Sequence, residues 1–432
     1  MRTYWWASPG WVSLLLMVPI CVIVAAMPRS TYLEFEQARQ FFTGDQLLLA
    51  LAGLLAFSAG CGVVGYVSRS AQRQRIRSSP PSRILHSHYR RAMLVIGLIA
   101  FSGNFALVLP VLADPGLVFA FLSGKASVFA LLKERTLQVP GITSVSNLAA
   151  LFAALYALKS KIADRPLDWF DHTFAAMVFL AVLMRAVINS ERLAIIEVVL
   201  PIGIVWFGTV GLRWRAWLSL APILGIVGII ALFAATEYVR SWTYYRYYYD
   251  SYTDFVLSRI WGYYLTALNN GAGLTALYPP TFDGTYTMHW FYRFPLFPWV
   301  EVEEATFWEY AFRYATEEFN NTSGVFAPMQ DFGSVFGILM WFFLGVLSGR
   351  IYDGYTQGKF QYMLLHPTWM IGVYEILRLF YWGSSKYFPT LIFTVALIVF
   401  MVRHRAVATA PITARSAHPL APVAVRGGRT RT

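Results

Sequence analysis

Charge is what this chain has least of. Only 13% of its 432 residues are Asp, Glu, Lys or Arg, whereas 57% are hydrophobic and 17% aromatic. A soluble domain of this length needs far more charge to cover its surface, so the composition excludes that class and points to a polytopic membrane protein. Cysteine is nearly absent. Cys21 and Cys61 both fall inside apolar runs, which argues against a disulfide framework or a cysteine-based metal centre. Acids are scarcer than bases, giving a net charge of +12. The excess lies in short segments between apolar runs and in the tail, a distribution that does not suit nucleic-acid binding. Repeats of solenoid or transporter-half type are also missing.

What the chain does have is apolar length. A membrane-crossing helix takes about 20 apolar residues, somewhat fewer where it is buried in protein. Ten runs meet that description: residues 11–27, 46–67, 92–112, 143–158, 173–189, 193–210, 217–236, 334–349, 362–381 and 389–402. The expected fold is therefore an all-α, polytopic membrane protein. The first run lacks the small-residue cleavage site of a signal peptide and reads as a signal anchor. Pro19, Pro201, Pro222 and Pro367 interrupt runs, which a membrane tolerates where neighbouring groups satisfy the freed backbone.

Charge sets the orientation. With the amino terminus in the cytoplasm, the cytoplasmic segments carry 21 of the 35 basic residues and only four of the 23 acids. Every loop then agrees with the positive-inside rule. Both termini are expected inside, and one long segment, roughly 237–331, outside. The expected organisation is seven spans over 1–236, an outer aromatic and polar loop domain over 237–331, three spans over 332–402 and a disordered tail over 403–432. The basic stretch 69–91 reads either as a topology determinant or as a site for anionic lipid headgroups. Residues 117–135 repeat apolar positions at helical spacing but are too polar to cross. They predict an amphipathic helix at the outer interface, ended by the Val139-Pro140-Gly141 turn.

The residues able to do chemistry gather at the outer edge. Arg185, Glu191, Arg192 and Glu197 flank the junction of spans five and six. Charges there need a partner or an aqueous cavity. Two readings are open: Arg–Glu pairs that lock two helices, or guanidinium forks that grip phosphate. Arg240 and Arg246 are interleaved with Tyr and Trp, as an interfacial aromatic belt or as sugar-stacking platforms. His289 is a candidate general base in the outer loop. Glu309, Arg313, Glu317 and Glu318 recur at helical spacing, so Arg313 is placed to pair at i±4, and Glu318 is a second candidate base. Asn320, Asn321 and Ser323, beside Gly324, form a polar knot that suits sugar hydroxyls or a capped loop equally well. Asp331-Phe332-Gly333 lacks every companion of the kinase tripeptide. Arg378, near Glu375 and Lys386, is a further candidate phosphate ligand.

Three stretches together resemble the Wzy-type O-antigen, or oligosaccharide repeat-unit, polymerase family. They are Val139 to Ser144, Ser190 to Ala194, and Asn320 to Gly333, in the same order along the chain and followed by the last spans. The resemblance implies a GT-C-like glycosyltransferase acting at the periplasmic face of a bacterial inner membrane. Its substrate would be undecaprenyl-pyrophosphate-linked oligosaccharide, its reaction metal-independent and without a cofactor. Its partners would be a flippase and a chain-length regulator. Leaving-group charge would then fall to fixed cations, with Arg192 and either Arg185 or Arg378 as the expected ligands. The related ligase reaction, with lipid A–core as acceptor, uses the same donor chemistry. A flippase is the alternative from another class, and it predicts inverted repeats and a midplane site.

Overall fold

The computed structural model describes residues 4–34, 39–72, 86–122, 128–136, 142–163, 165–189, 191–209, 215–292, 305–316 and 319–403. The regular elements among them are helices. The main ones, in chain order, are α1 (Pro9–Ala25), α2 (Gly44–Gln72), α3 (His86–Leu112), α4 (Pro115–Leu122), α5 (Val128–Arg135), α6 (Leu148–Ile162) and α7 (Trp169–Ile188). They continue with α8 (Arg192–Thr209), α9 (Ala221–Arg240), α10 (Tyr252–Leu277), α11 (Ala305–Tyr314), α12 (Ala327–Thr356), α13 (Phe360–Glu375) and α14 (Phe388–Arg403). Each of the ten apolar runs falls on a helix. Five helices, α2, α3, α7, α9 and α12, are long and apolar enough to cross a membrane, while α1, α6 and α14 are apolar but shorter.

The bundle is built around α6, whose residues Leu148 to Leu155 are all buried. It packs against α3, α8, α13 and α14. Where α6 leaves the core, Lys159 forms an ion pair with Asp171 of α7, both side chains fully buried. Asp171 also completes a capping box with Asp168 at the start of α7. The most extensive helix pair is α2 with α12. A Cβ on Gly345 of α12 would overlap the carbonyl of Phe57 on α2, so a small residue at that crossing lets the backbones touch. The outward faces stay apolar. Helix α9, for example, exposes Ile223, Leu224 and Val227, as expected of a surface bathed in hydrocarbon.

The segment read as an outer loop contains a long helix. Helix α10 has 26 residues, with Ser251 as its N-cap accepting from the Asp254 amide. Its apolar stripe is diluted by Asn, Thr, Gly and Arg, which is why no apolar run marks it. Its contacts are with the ends of other elements. Asn269 accepts from the amides of Phe41 and Phe42, just before α2, and Asn270 donates to the carbonyls of Phe319 and Asn321, just before α12. The expected interfacial helix is present as two pieces, α4 and α5. Residues 123–127 between them, and the Val139-Pro140-Gly141 turn, lie outside the described residues. Val128 and Leu132 of α5 pack on Leu107, Val108 and Val111 of α3. Span nine ends sooner than expected, at Glu375, and Arg378 therefore sits past the helix end in a turn.

Candidate functional site

The charged residues converge on one end of the bundle. Arg185, in the last turn of α7, is only 4% exposed at its side chain. Its Nε and NH2 donate to Glu191 at 2.9 and 2.7 Å. Its NH1 donates to Ser146 Oγ at 2.7 Å and to Asn147 Oδ1 at 3.1 Å, with Asn104 Oδ1 at 3.4 Å. Both ends of the fork are thus committed to protein. Glu191 also accepts from Lys386 Nζ at 2.9 Å, so this carboxylate lies between two cations. It stands in the short connection between α7 and α8. Burial pushes its carboxyl up, but Arg185 and Lys386 pull harder and hold it down at about 2.

Arg192 opens α8 and turns the other way. It pairs with the fully buried Glu237 of α9, and its Nε donates to Thr236 Oγ1 at 2.8 Å. Its guanidinium lies over the Phe233 ring at 3.6 Å. Glu237 is shared: Arg259 of α10 approaches its other oxygen at 3.8 Å. Arg259 in turn faces the Phe319 ring at 4.7 Å. Glu191 and Glu237 are therefore each flanked by two cations, and the adjacency of Glu191 and Arg192 in sequence links the two groups.

Arg378 completes the cluster. It pairs with Glu375 at 3.0 Å and lies 5.3 Å from the Tyr263 ring, which Arg192 approaches from 5.7 Å. Its Nε is buried with no hydrogen-bond partner among the described residues, and its side chain keeps 25% of its exposure. One turn into α8, Glu197 accepts from the Tyr381 hydroxyl. Among the described residues, five cations (Arg185, Arg192, Arg259, Arg378 and Lys386) thus face four carboxylates (Glu191, Glu197, Glu237 and Glu375), a formal excess of positive charge.

The polar knot lies against this end, as its place in the sequence suggested. Phe319 packs on Tyr263 at 5.2 Å between ring centres. A Cβ on Gly324 would sit 2.5 Å from the Leu379 carbonyl, so the knot's backbone rests directly on the chain just after Arg378. Ser323 is buried at φ +51°, with its hydroxyl lacking a partner among the described residues. Asn321 offers its carbonyl to Asn270, and Asn320 is exposed.

Other expected site residues fall elsewhere. Arg313 makes an exposed i,i+4 pair with Glu309 at 2.9 Å, the plain helical arrangement. Arg246 is exposed, with its guanidinium on the neighbouring Tyr247 at 4.7 Å. Neither joins the cluster. Arg240 ends α9, and its side chain lies outside the described residues, as do Glu317 and Glu318. His289 is half-buried at the start of the short helix His289–Tyr292, next to Trp290, which stacks on Phe388 at 3.5 Å. Asp331, in the tripeptide with no kinase context, proves to be a structural anchor. Its carboxylate accepts from Thr281 Oγ1, Thr287 Oγ1 and the amides of Tyr286 and Thr287. Among the described residues no group of three or more His, Cys, Asp or Glu comes together as metal ligands.

Sequence reasoning named Arg192 and Arg378 but missed what joins them. Glu237 and Tyr263 were passed over because both sit in an aromatic-rich stretch where no spacing singles them out. These features define an α-helical membrane protein with a cationic cluster at one end of its bundle. Comparison with protein-family models, curated proteins and solved structures finds no match.

Proposed function

We propose that the chain is a membrane glycosyltransferase that polymerises undecaprenyl-pyrophosphate-linked oligosaccharide into a surface polysaccharide. In this reading the ten apolar helices all cross in a GT-C-like bundle, both termini are cytoplasmic, and the arginine cluster faces the periplasm. The observation that carries the proposal is the cationic excess around Glu191, Glu237 and Tyr263, roofed by a polar knot. Charge that is only partly compensated, at the edge of an apolar bundle, suits an anionic ligand better than a structural lock alone.

The chemistry follows from the charge. A hydroxyl of the acceptor sugar attacks the anomeric carbon of the donor chain. The bond from that carbon to the phosphate oxygen breaks, and undecaprenyl pyrophosphate leaves with the electron pair. Arg378, whose side chain keeps 25% of its exposure beside the Tyr263 ring, is the first candidate to receive the diphosphate, with Arg192 near the same ring as its companion. Fixed cations facing charge that grows in the transition state stabilise it without reorganisation. Arg185 holds the platform, its fork already filled by protein acceptors. Glu318 or His289 would take the hydroxyl proton.

The test is reconstitution. Purified protein in lipid, given undecaprenyl-pyrophosphate-linked repeat units and no added metal, is expected to yield longer lipid-linked chains. Transfer to lipid A–core without chain growth would mark a ligase instead. Translocation with no new glycosidic bond would overturn the transferase assignment.

A further inference from the structure

Helix α9 stands away from the bundle over most of its length. Only 11% of its apolar stretch is buried, against 50% in α3 and in α7. Residues 223–231 are exposed without a break, about two and a half turns, so among the described residues no element packs on any side of them. A helix that closes a bundle buries the face turned toward it. Over this stretch α9 buries neither face.

The helix is nevertheless pinned to α8 at both ends. At one end Arg192 pairs with Glu237, donates to Thr236 and lies over Phe233. At the other, the Trp6 indole donates to the Leu218 carbonyl at 2.9 Å, just before α9, and meets Phe207 of α8 edge-on at 5.6 Å. Helical periodicity fixes what lies between the pins. Arg192, Ile196, Val199, Gly203 and Trp206 share one face of α8, while Phe233, Ile229 and Ile226 share one face of α9. Because Arg192 and Phe233 meet, these faces are turned toward each other. Yet Val199 is 60% exposed and Ile226 46%. The two helices therefore bound an open apolar cleft. Gly203 keeps its middle clear, since a Cβ there would meet only the Phe207 ring, at 3.6 Å.

We infer that this cleft holds the tail of a polyprenyl diphosphate, with the charged head at the Arg192 end. Charge selects the head: Glu237 is a single carboxylate between Arg192 and Arg259, so that end is positive while the walls below it are aliphatic. Length selects the tail. Arg192 and Phe207 are about 22 Å apart along α8 at 1.5 Å per residue. One leaflet supplies half of a hydrocarbon core of about 30 Å, or roughly 15 Å. The acyl chains of an ordinary phospholipid end near that midplane, whereas a polyprenyl chain continues along the whole cleft. The inference rests on the glycosyl-transfer reading for its diphosphate, and adds to it where the lipid carrier lies.

The experiment separates tail from head. Protein in phosphatidylcholine nanodiscs is loaded with undecaprenyl pyrophosphate or with palmitoyl-oleoyl phosphatidylglycerol, and retained lipid is counted by native mass spectrometry. Inorganic pyrophosphate binding is read separately by calorimetry. Wild-type protein is expected to retain undecaprenyl pyrophosphate at least tenfold over the phospholipid. Gly203→Trp and Ile226→Trp fill the cleft from either wall. Each, checked for wild-type elution, should lower that retention at least tenfold and leave inorganic pyrophosphate binding intact. Gly228→Trp, on the opposite face of α9, should change neither. Equal retention of the two lipids, wild-type retention in both cleft variants, or an equal loss in Gly228→Trp overturns the cleft assignment, even if the protein extends lipid-linked chains. Retention that depends on the cleft, in protein that extends no chain, upholds the assignment and removes the glycosyl-transfer reading.

Discussion

Arg192, at the start of α8, and Arg378, in the turn after α13, are far apart in the sequence, yet their guanidinium groups approach the same ring, that of Tyr263, at 5.7 and 5.3 Å. Each also has its own carboxylate, Glu237 for Arg192 and Glu375 for Arg378. Both guanidinium groups are within cation–π reach of that ring, which offsets part of the repulsion between like charges. Tyr263→Ala should therefore lower the affinity for inorganic pyrophosphate by about fivefold, in line with roughly 1 kcal/mol for a cation–π contact. Calorimetry on the purified variant reads this directly. Unchanged affinity would mean that the ring is not part of the anion site.

Arg185 and Arg378 should behave differently. Arg185 is bonded to four protein side chains, so Arg185→Ala leaves Glu191 with Lys386 as its remaining cation and takes the donor away from three buried acceptors. The expected cost is about 3–5 kcal/mol of stability, seen as a lower melting temperature and poor yield. Arg378→Ala should melt within a few degrees of wild type and lose about 10²–10³ in the elongation rate.

Glu191 gives a pH signature. Its folded carboxyl is held down at about 2 against an ordinary value of 4.5. The stabilisation it contributes is thus complete above pH 4.5 and is lost progressively as pH falls through 4.5 toward 2. In detergent, thermal stability attributable to this group should be flat from pH 7 to 5 and decline below. Glu191→Gln should remove that part of the acid limb and lower stability at neutral pH.

Asp331 predicts a local effect. Its carboxylate accepts four hydrogen bonds from residues 281–287. In Asp331→Ala, hydrogen exchange of the Tyr286 and Thr287 amides should accelerate by at least tenfold, while amides in α6 keep wild-type protection.

Much of the fold was legible because membrane helices advertise themselves by apolar length alone. The ten runs fall on helices, although α12 begins at Ala327, ahead of the run expected from 334, with the break at Gly333 inside it. Helix α10 was not legible: its buried face includes Asn269, Asn270 and Gly271, which make backbone contacts that no hydropathy pattern encodes. The site was half visible. Arginine beside glutamate at a membrane edge marks a charged cluster, which pointed to Arg185 and Arg192. Which carboxylate each would choose depends on how α7, α8 and α9 pack. Arg185 took Glu191, and Arg192 took Glu237, a residue 45 positions away in the sequence. Arg246 and Arg313 shared the residue type but were placed on exposed local partners, a distinction that only the three-dimensional arrangement makes.

The most direct measurement is the length distribution of lipid-linked product from purified protein supplied with undecaprenyl-pyrophosphate-linked repeat units, compared for wild type, Arg192→Ala and Arg378→Ala. A ladder of extended chains in the wild type, with neither folded variant extending the starting unit, is the predicted result. Chains of wild-type length from both variants, at equal folded protein, would contradict a role for these arginines in glycosyl transfer.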